Sequence, residues 1–329
     1  MGTRQRNRTA GQSSVAMLSL TLLAGSSSAL ASPQEQPTGS DGKRFAERGK
    51  MPEVDVGDPK LNQALSAVAN QASMFWQSAS SFSGHETLKQ KAIVRRRRKV
   101  HFRQLEPPPE GKNLEEREIT SYYGFSAFSA APEALREFRR IVSIGDKQLE
   151  NPKVAREKLE RVLVSKDDAR KQALRSAFEK EGLSVAAIDF GQLILLFIRS
   201  RLPQYSFALE KSEIVGKEQA LVISFVQSEG SGSLRIAEPG AKLHIPIEGK
   251  LYVRQADDLV LRITFIVDRA DGDVEIRDEA TVDYSPNPAT AILPASILYR
   301  RFFNDKLYSE STFQYSDWQG LRLATNEHR

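Results

Sequence analysis

Residues 259–284 read LVLRITFIVDRADGDVEIRDEATVDY, and this stretch decides the fold. In its first half Leu259, Leu261, Ile263, Phe265 and Val267 fall on one side. In its second half Val274, Ile276, Ala280, Val282 and Tyr284 share a side, with Glu275, Arg277, Glu279, Thr281 and Asp283 opposite. Successive side chains of a strand point to opposite faces, so each half reads as a strand with one face buried and one in water. Asp271-Gly272 between them tolerates the positive φ angles of a tight turn, which predicts a long antiparallel hairpin.

Working outward, the whole region from Tyr205 to about Trp318 reads as seven or so strands. The segments are Tyr205 to Lys211, Ala220 to Val226, Leu243 to Ile247, Gly249 to Arg254, the two halves of the hairpin, Ile292 to Phe303 and Leu307 to Tyr315. A turn falls at Val215-Gly216 and a flexible link at Glu229 to Ser233. Short connections make sequence neighbours spatial neighbours. No period of 20 to 50 residues repeats, which excludes propellers and solenoids.

Upstream, Asp58-Pro59 opens a helix: Asp58 can cap the free N–H groups, and Pro59 fits the first turn. Leu61, Leu65, Val68, Ala72, Phe75 or Trp76, and Ala79 form one apolar stripe that suits a helix lying on a sheet. His85 to Leu105 reads as one long or two paired strands, and Glu115 to Ala127 as another. From Pro132 to Gly182 the composition turns helical, with starts at Pro132-Glu133, Asn151-Pro152 and Asp167 or Asp168. The first of these carries Leu135, Phe138, Ile141 and Val142. Ser184 to Arg199, with Leu193-Ile-Leu-Leu-Phe-Ile198, is apolar all round; it reads as a buried helix, with a central strand as the alternative.

The chain has 329 residues, 27% of them charged, and no cysteine. Its formal charge of +5 shrinks on inspection. The first 31 residues carry Arg4, Arg6 and Arg8 and no acid; the remainder sits near +2, which argues against a nucleic-acid partner. Those residues have the order of an export signal: a basic start, the apolar run Val15 to Ala24, then Ala29-Leu30-Ala31 before Ser32-Pro33. The apolar run is too short to span a bilayer. Cleavage near Ala31 would leave a periplasmic or secreted protein without disulfides or an acylatable cysteine. Residues 32–57 read as a disordered leader, and 58–325 as a single α+β domain with a helical excursion over 132–200.

The order of helix, antiparallel strands, helical excursion and strand meander resembles the LolA/LolB-like outer-membrane lipoprotein carriers. It is similar also to uncharacterised exported proteins of acidobacteria, on Gly249-Lys-Leu-Tyr-Val253, Ala280-Thr-Val-Asp-Tyr284, Ile292-Leu-Pro294 and Phe313-Gln-Tyr-Ser-Asp-Trp318. The pattern covers Leu61 to Leu321. The resemblance implies a curved antiparallel sheet, a half-barrel covered by helices, whose concave face shelters an acyl chain or an apolar segment. It implies a lipid, lipoprotein or other apolar ligand against Phe75, Trp76, Leu261, Ile263 and Phe265. No arginine stands out for the carriers' role of holding a helical lid, and the lipobox cysteine of the lipid-anchored relative is missing.

Chemistry is sparse. His85, His101, His244 and His328 are scattered, and His85-Glu86 lacks a second histidine at zinc-protease spacing. There is no G-x-S-x-G elbow and no phosphate-cradling G-x-x-x-x-G-K-[ST]. Ser40-Asp-Gly-Lys43 matches S-x-x-K but stands in the leader. Asp257-Asp258 and Asp271/Asp273 flank turns, which explains them. Arg95-Arg96-Arg97-Arg98-Lys99 could bind anions, or could be a strand end whose cations discourage stray pairing. The expectation is a non-catalytic binding protein with no cofactor or metal. The alternative is an envelope structural or interaction protein with a filled core and a working surface on the charged helices.

Overall fold

The structure, a computed structural model, describes residues 17–19, 58–93, 115–183, 189–228, 234–238, 241–245, 247–271 and 274–322. In chain order its elements begin with β1 (Met17–Ser19), α1 (Pro59–Ser78), β2 (Phe82–Ala92), β3 (Glu115–Phe128), β4 (Ala131–Ile144) and β5 (Lys147–Gln148). Then come α2 (Pro152–Leu163), α3 (Asp168–Glu181), β6 (Tyr205–Leu209), β7 (Glu213–Val215), β8 (Glu218–Gln227), β9 (Leu234–Glu238) and β10 (Ala241–Ile245). The chain closes with β11 (Glu248–Arg254), β12 (Val260–Asp271), β13 (Val274–Asn287), β14 (Ala291–Phe303) and β15 (Lys306–Gly320).

One 12-stranded sheet dominates, ordered β5-β4-β3-β2-β15-β14-β13-β12-β11-β8-β6, with β7 also on β8. Every pairing in it is antiparallel. It is curved and does not close into a barrel, and with its few helices it makes an α+β fold. The expected hairpin is its centre: Arg262↔Asp283 through Asp271↔Val274 are in register. From Val274 to Tyr284 residues of β13 alternate strictly between buried and less buried, as the two-residue rhythm requires. Strands β1, β9 and β10 form a separate small sheet.

The inner face is apolar over nearly its whole width. Leu88, Ile119, Phe125, Phe313, Ile297, Val282, Ile263, Leu251 and Phe225, from eight successive strands, belong to one buried cluster. The outer face carries charge pairs in ladder, such as Lys89–Glu118 and Lys91–Glu116. Helix α1 lies on the inner face and buries Leu61, Ala64, Val68, Ala72 and Phe75. It starts as its sequence dictates, with Asp58 accepting from the backbone nitrogens of Lys60 (2.8 Å) and Leu61 (3.4 Å). Gln71 then ties it to the sheet: its amide nitrogen donates to the Asp258 carbonyl (2.6 Å), and its oxygen accepts from Val260 N (2.9 Å). Asp258 has φ +58 there, so the Asp257-Asp258 pair belongs to a turn.

Three readings of the sequence need correction. Pro132-Glu133 opens no helix; residues 131–144 are strand β4, paired with β3 from Ile119↔Ile144 to Phe128↔Ala131. Its apolar residues fall on both sides because both faces are covered, and a strand buried on both faces loses its alternation. Glu137 and Arg139 face inward, while Phe138 packs outward with Leu159 and Leu163 of α2 and Leu174 of α3. The helical excursion of 132–200 therefore shrinks to α2 and α3. Second, the apolar run before Arg199 is neither a regular helix nor a strand. Phe190 to Gln204 makes two 3-10 turns, over Leu193–Phe197 and Arg199–Gln204. Third, the last strand pairs with the first of the main sheet, β15 with β2 from Ser309↔Ala92 to Gly320↔Phe82, so the neighbour rule misses the join at the centre. The Arg95–Lys99 run lies outside the described residues, as do the leader and the Ser40–Lys43 motif.

Candidate functional site

What covers the inner face is α1 and, beside it, the irregular segment Phe190–Phe197. Leu193, Ile194, Leu195, Leu196 and Phe197 are all buried. Phe190 meets both Phe265 and Tyr299 at 5.3 Å with tilted rings, and Phe197 meets Phe225 edge-on at 4.9 Å. This segment fills the trough as a plug. It lacks the continuous hydrogen-bond ladder of an α-helix, and 3-10 turns bond less well.

The plug is held at its start by a buried ionic cluster on β4. Glu137 accepts from Asp189 N (3.0 Å) and Gly191 N (2.6 Å). Asp189 answers by accepting from Glu137 N (2.9 Å), which satisfies a buried backbone donor on the stretch of β4 that β5 does not cover. The Asp189 carboxylate is gripped by Arg175 (3.1 Å) and Arg136 (3.2 Å). Glu137 is bonded to Arg139 (2.8 Å), whose Nε reaches both oxygens of Glu86 at 2.9 Å. Ser121 donates to Glu86 (2.9 Å), and the Arg139 guanidinium lies over the rings of Tyr123, Phe178 and Phe313. Burial pushes the Glu137 carboxyl up against the pull of Arg139. Burial also opposes the charge on Arg139, but Glu86 and Glu137 outweigh it and hold the guanidinium firmly protonated. Tyr123 and Tyr315 are pushed up by burial beside it.

Further along the plug, Ile194 N donates to the Tyr284 hydroxyl at 3.2 Å. The buried Gln192 amide has no partner for its nitrogen or its oxygen among the described residues. Gly191 is required: a Cβ there would stand 2.5 Å from the Tyr123 hydroxyl and 2.7 Å from Glu137 Oε1.

Of the five side chains expected at a ligand, Phe75, Leu261, Ile263 and Phe265 are buried. They are not gathered at one point; Phe75 meets Phe125 and Phe265 meets Phe190. Trp76, the next residue on α1, is 45% exposed and faces away. Sequence reasoning missed Glu137, Arg139 and Glu86. The signal was present, because Glu137-x-Arg139 lies on one face of a strand once residues 131–144 are read as one. Among the described residues no group of three His, Cys, Asp or Glu side chains could hold a metal ion, and no helix is long and apolar enough to cross a membrane.

On the outer face α2 packs over β3 and β4, and α3 lies along β4 with Leu174 in the outer cluster and Phe178 in the inner one. Glu150, in the turn leading to α2, binds Arg140 twice (2.7 and 3.2 Å) and Lys158 once (2.5 Å). The hydrogen bond from Arg140 and then that from Lys158 pull its carboxyl from the usual 4.5 down to about 2. A depressed carboxylate stabilises the fold above its unfolded pKa, and the benefit is lost as pH falls through the folded value. Glu150→Gln is therefore expected to destabilise at neutral pH, with the gap to wild type narrowing from pH 4.5 towards 2. Urea midpoints measured across that window check it; a gap independent of pH contradicts the ion-pair account. Two shallow depressions, of about 390 and 330 Å³, also lie outside: one over β8, β11, β12 and β13, the other between α2 and α3.

No family model matches the chain, and no curated protein matches it. Its fold is similar to a LolA superfamily protein from Nitrosomonas europaea, at 10% identity and TM-score 0.29, over 79% of this chain and 94% of that one. It is similar also to a domain described as an outer membrane lipoprotein-sorting protein from Vibrio parahaemolyticus, at 8% identity and TM-score 0.34, over 81% and 95%. A DUF1329 family protein from Desulfovibrio piger follows at 8% identity and TM-score 0.32, over 79% and 92%.

Proposed function

We propose that this chain is an exported, non-catalytic binding protein that takes up a lipid, a lipoprotein's acyl portion or another apolar segment against the inner face of its sheet. One observation carries the reading. The trough is filled by a segment of the chain's own, Phe190–Phe197, whose side chains resemble such a ligand in chemistry and whose backbone is irregular. Displacing it exposes the greasy floor formed by Ile263, Phe265, Phe225 and Val282, while the sheet that forms the floor keeps its own ladder. Phe75 and Leu261 would line the same trough, and Trp76 would stand at its rim. The buried Gln192 amide favours exchange, because a buried unpaired polar group costs about 1–3 kcal/mol and the closed state bears that cost. Residues 1–31 act as the export signal, with cleavage near Ala31, and 58–325 act as one domain.

Native mass spectrometry of protein isolated from an exporting cell tests this reading. Bound apolar amphiphile is expected, together with uptake of a fluorescent fatty acid that Gly191→Ala increases. That substitution drives a Cβ into Tyr123 and Glu137 and so loosens the plug. A chain that is always empty and excludes the probe in both forms leaves the second reading, an interaction protein with a filled core. The complete burial of Ile263 and Phe75 is the observation on that side.

A further inference from the structure

The groove between α2 and α3 is lined by cations over an apolar floor. Four cations line it, Arg140, Lys158, Arg161 and Arg170, and no carboxylate does. Glu150 sits behind Arg140 and Lys158 and fixes them in place. Arg161 donates through Nε to the Glu157 carbonyl (3.3 Å), and among the described residues it has no carboxylate partner. Among the described residues Arg170 is bridged only by Asp167, at the cap of its own helix (3.0 Å), and its side chain is about three-quarters exposed. Between the cations the floor is apolar: Val162 and Leu174, with Ala173 and Ala177 one helical turn apart keeping it open. Beside it stand Val154, 38% exposed and one turn before Lys158 on α2, and Leu149, 47% exposed and next to Glu150 in the chain. Exposed aliphatics among cations on a helix pair are the composition of a surface that rests in the headgroup region of an anionic membrane.

We propose that the α2–α3 face docks the protein on an anionic phospholipid surface, with the cations on headgroup phosphates and Leu149 and Val154 at the acyl boundary. The groove opens beside Arg140 of β4, and the proposal stands whether or not the trough takes a ligand. Docking there would place the carrier against a membrane while leaving the inner face unobstructed.

Co-sedimentation with phosphatidylcholine vesicles, with and without phosphatidylglycerol, is the test. The wild-type protein is expected to pellet with the anionic vesicles alone, and raising salt from about 0.05 to about 0.5 M should release it. Arg161→Gln with Arg170→Gln should weaken binding roughly 25-fold, about fivefold for each cation removed near a charged surface. Both side chains are exposed, and an unchanged melting curve shows the fold intact. Lys89→Gln with Lys91→Gln, on exposed outer-face pairs of β2, should leave binding unchanged. The proposal is overturned if no vesicle binds. It falls equally if the Arg161/Arg170 variant pellets like wild type, which would assign binding elsewhere, for instance to Arg95–Lys99. A groove that answers only to free inorganic phosphate also overturns it.

Discussion

Replacing Arg139 by methionine is expected to destabilise the protein by about 3–5 kcal/mol, the usual result of removing one partner from a buried ion pair. The guanidinium is the shared cation of Glu86 and Glu137, all three lie fully inside the fold, and no other cation bonds the Glu86 carboxylate among the described residues. Its loss leaves two buried carboxyl groups competing to stay neutral. In a domain of this size, about 2–4 °C of melting temperature goes with each kcal/mol, so a fall of roughly 10 °C is expected. Adding Glu86→Gln and Glu137→Gln to the same background should recover part of the loss, because the orphaned charges then disappear. A single variant within about 1 kcal/mol of wild type would mean that the cluster carries no net charge in the fold. The effect should also shrink in acid, where Glu137, already pushed up by burial, takes a proton first.

Phe197→Ala is the second large effect. Its ring is buried between Tyr205, Phe207 and Phe225, with centroids 4.9–6.3 Å away. Truncating a buried phenylalanine costs about 3–5 kcal/mol through lost transfer energy and the cavity left behind. The same change thins the plug. On the carrier reading the apolar probe should therefore bind better even though the protein is weaker, a pairing that simple core damage does not produce. Equilibrium denaturation and probe titration on one sample separate the two. Reduced stability with no gain in uptake would show that the plug is ordinary core.

How much of this was legible depends on what each residue answers to. The β12–β13 hairpin was, because side-chain alternation and the Asp271-Gly272 turn are local properties. So was the start of α1, because capping involves only residues three apart. Strand β4 was not: Leu135, Phe138 and Val142 match helical spacing as well as a strand with both faces covered, and only the helices packed outside it distinguish the two. The plug was illegible for a related reason. An apolar run such as Leu193–Ile198 says that it is buried and nothing about its backbone, which Asp189 at φ +68 and the close approach at Gly191 decide.

By itself, then, the amino-acid sequence determined that a bent antiparallel sheet would turn one oily face towards α1 and one charged face to water. Only the tertiary structure decided that β15 joins β2, that Glu86, Glu137 and Arg139 meet on the inner face, and that the chain fills its own trough. The physical reason is range: periodicity and capping act within a few residues. Pairing, ion clusters and plugs join residues more than 200 positions apart, as Ser311 and Gln90 are, 221 residues from each other.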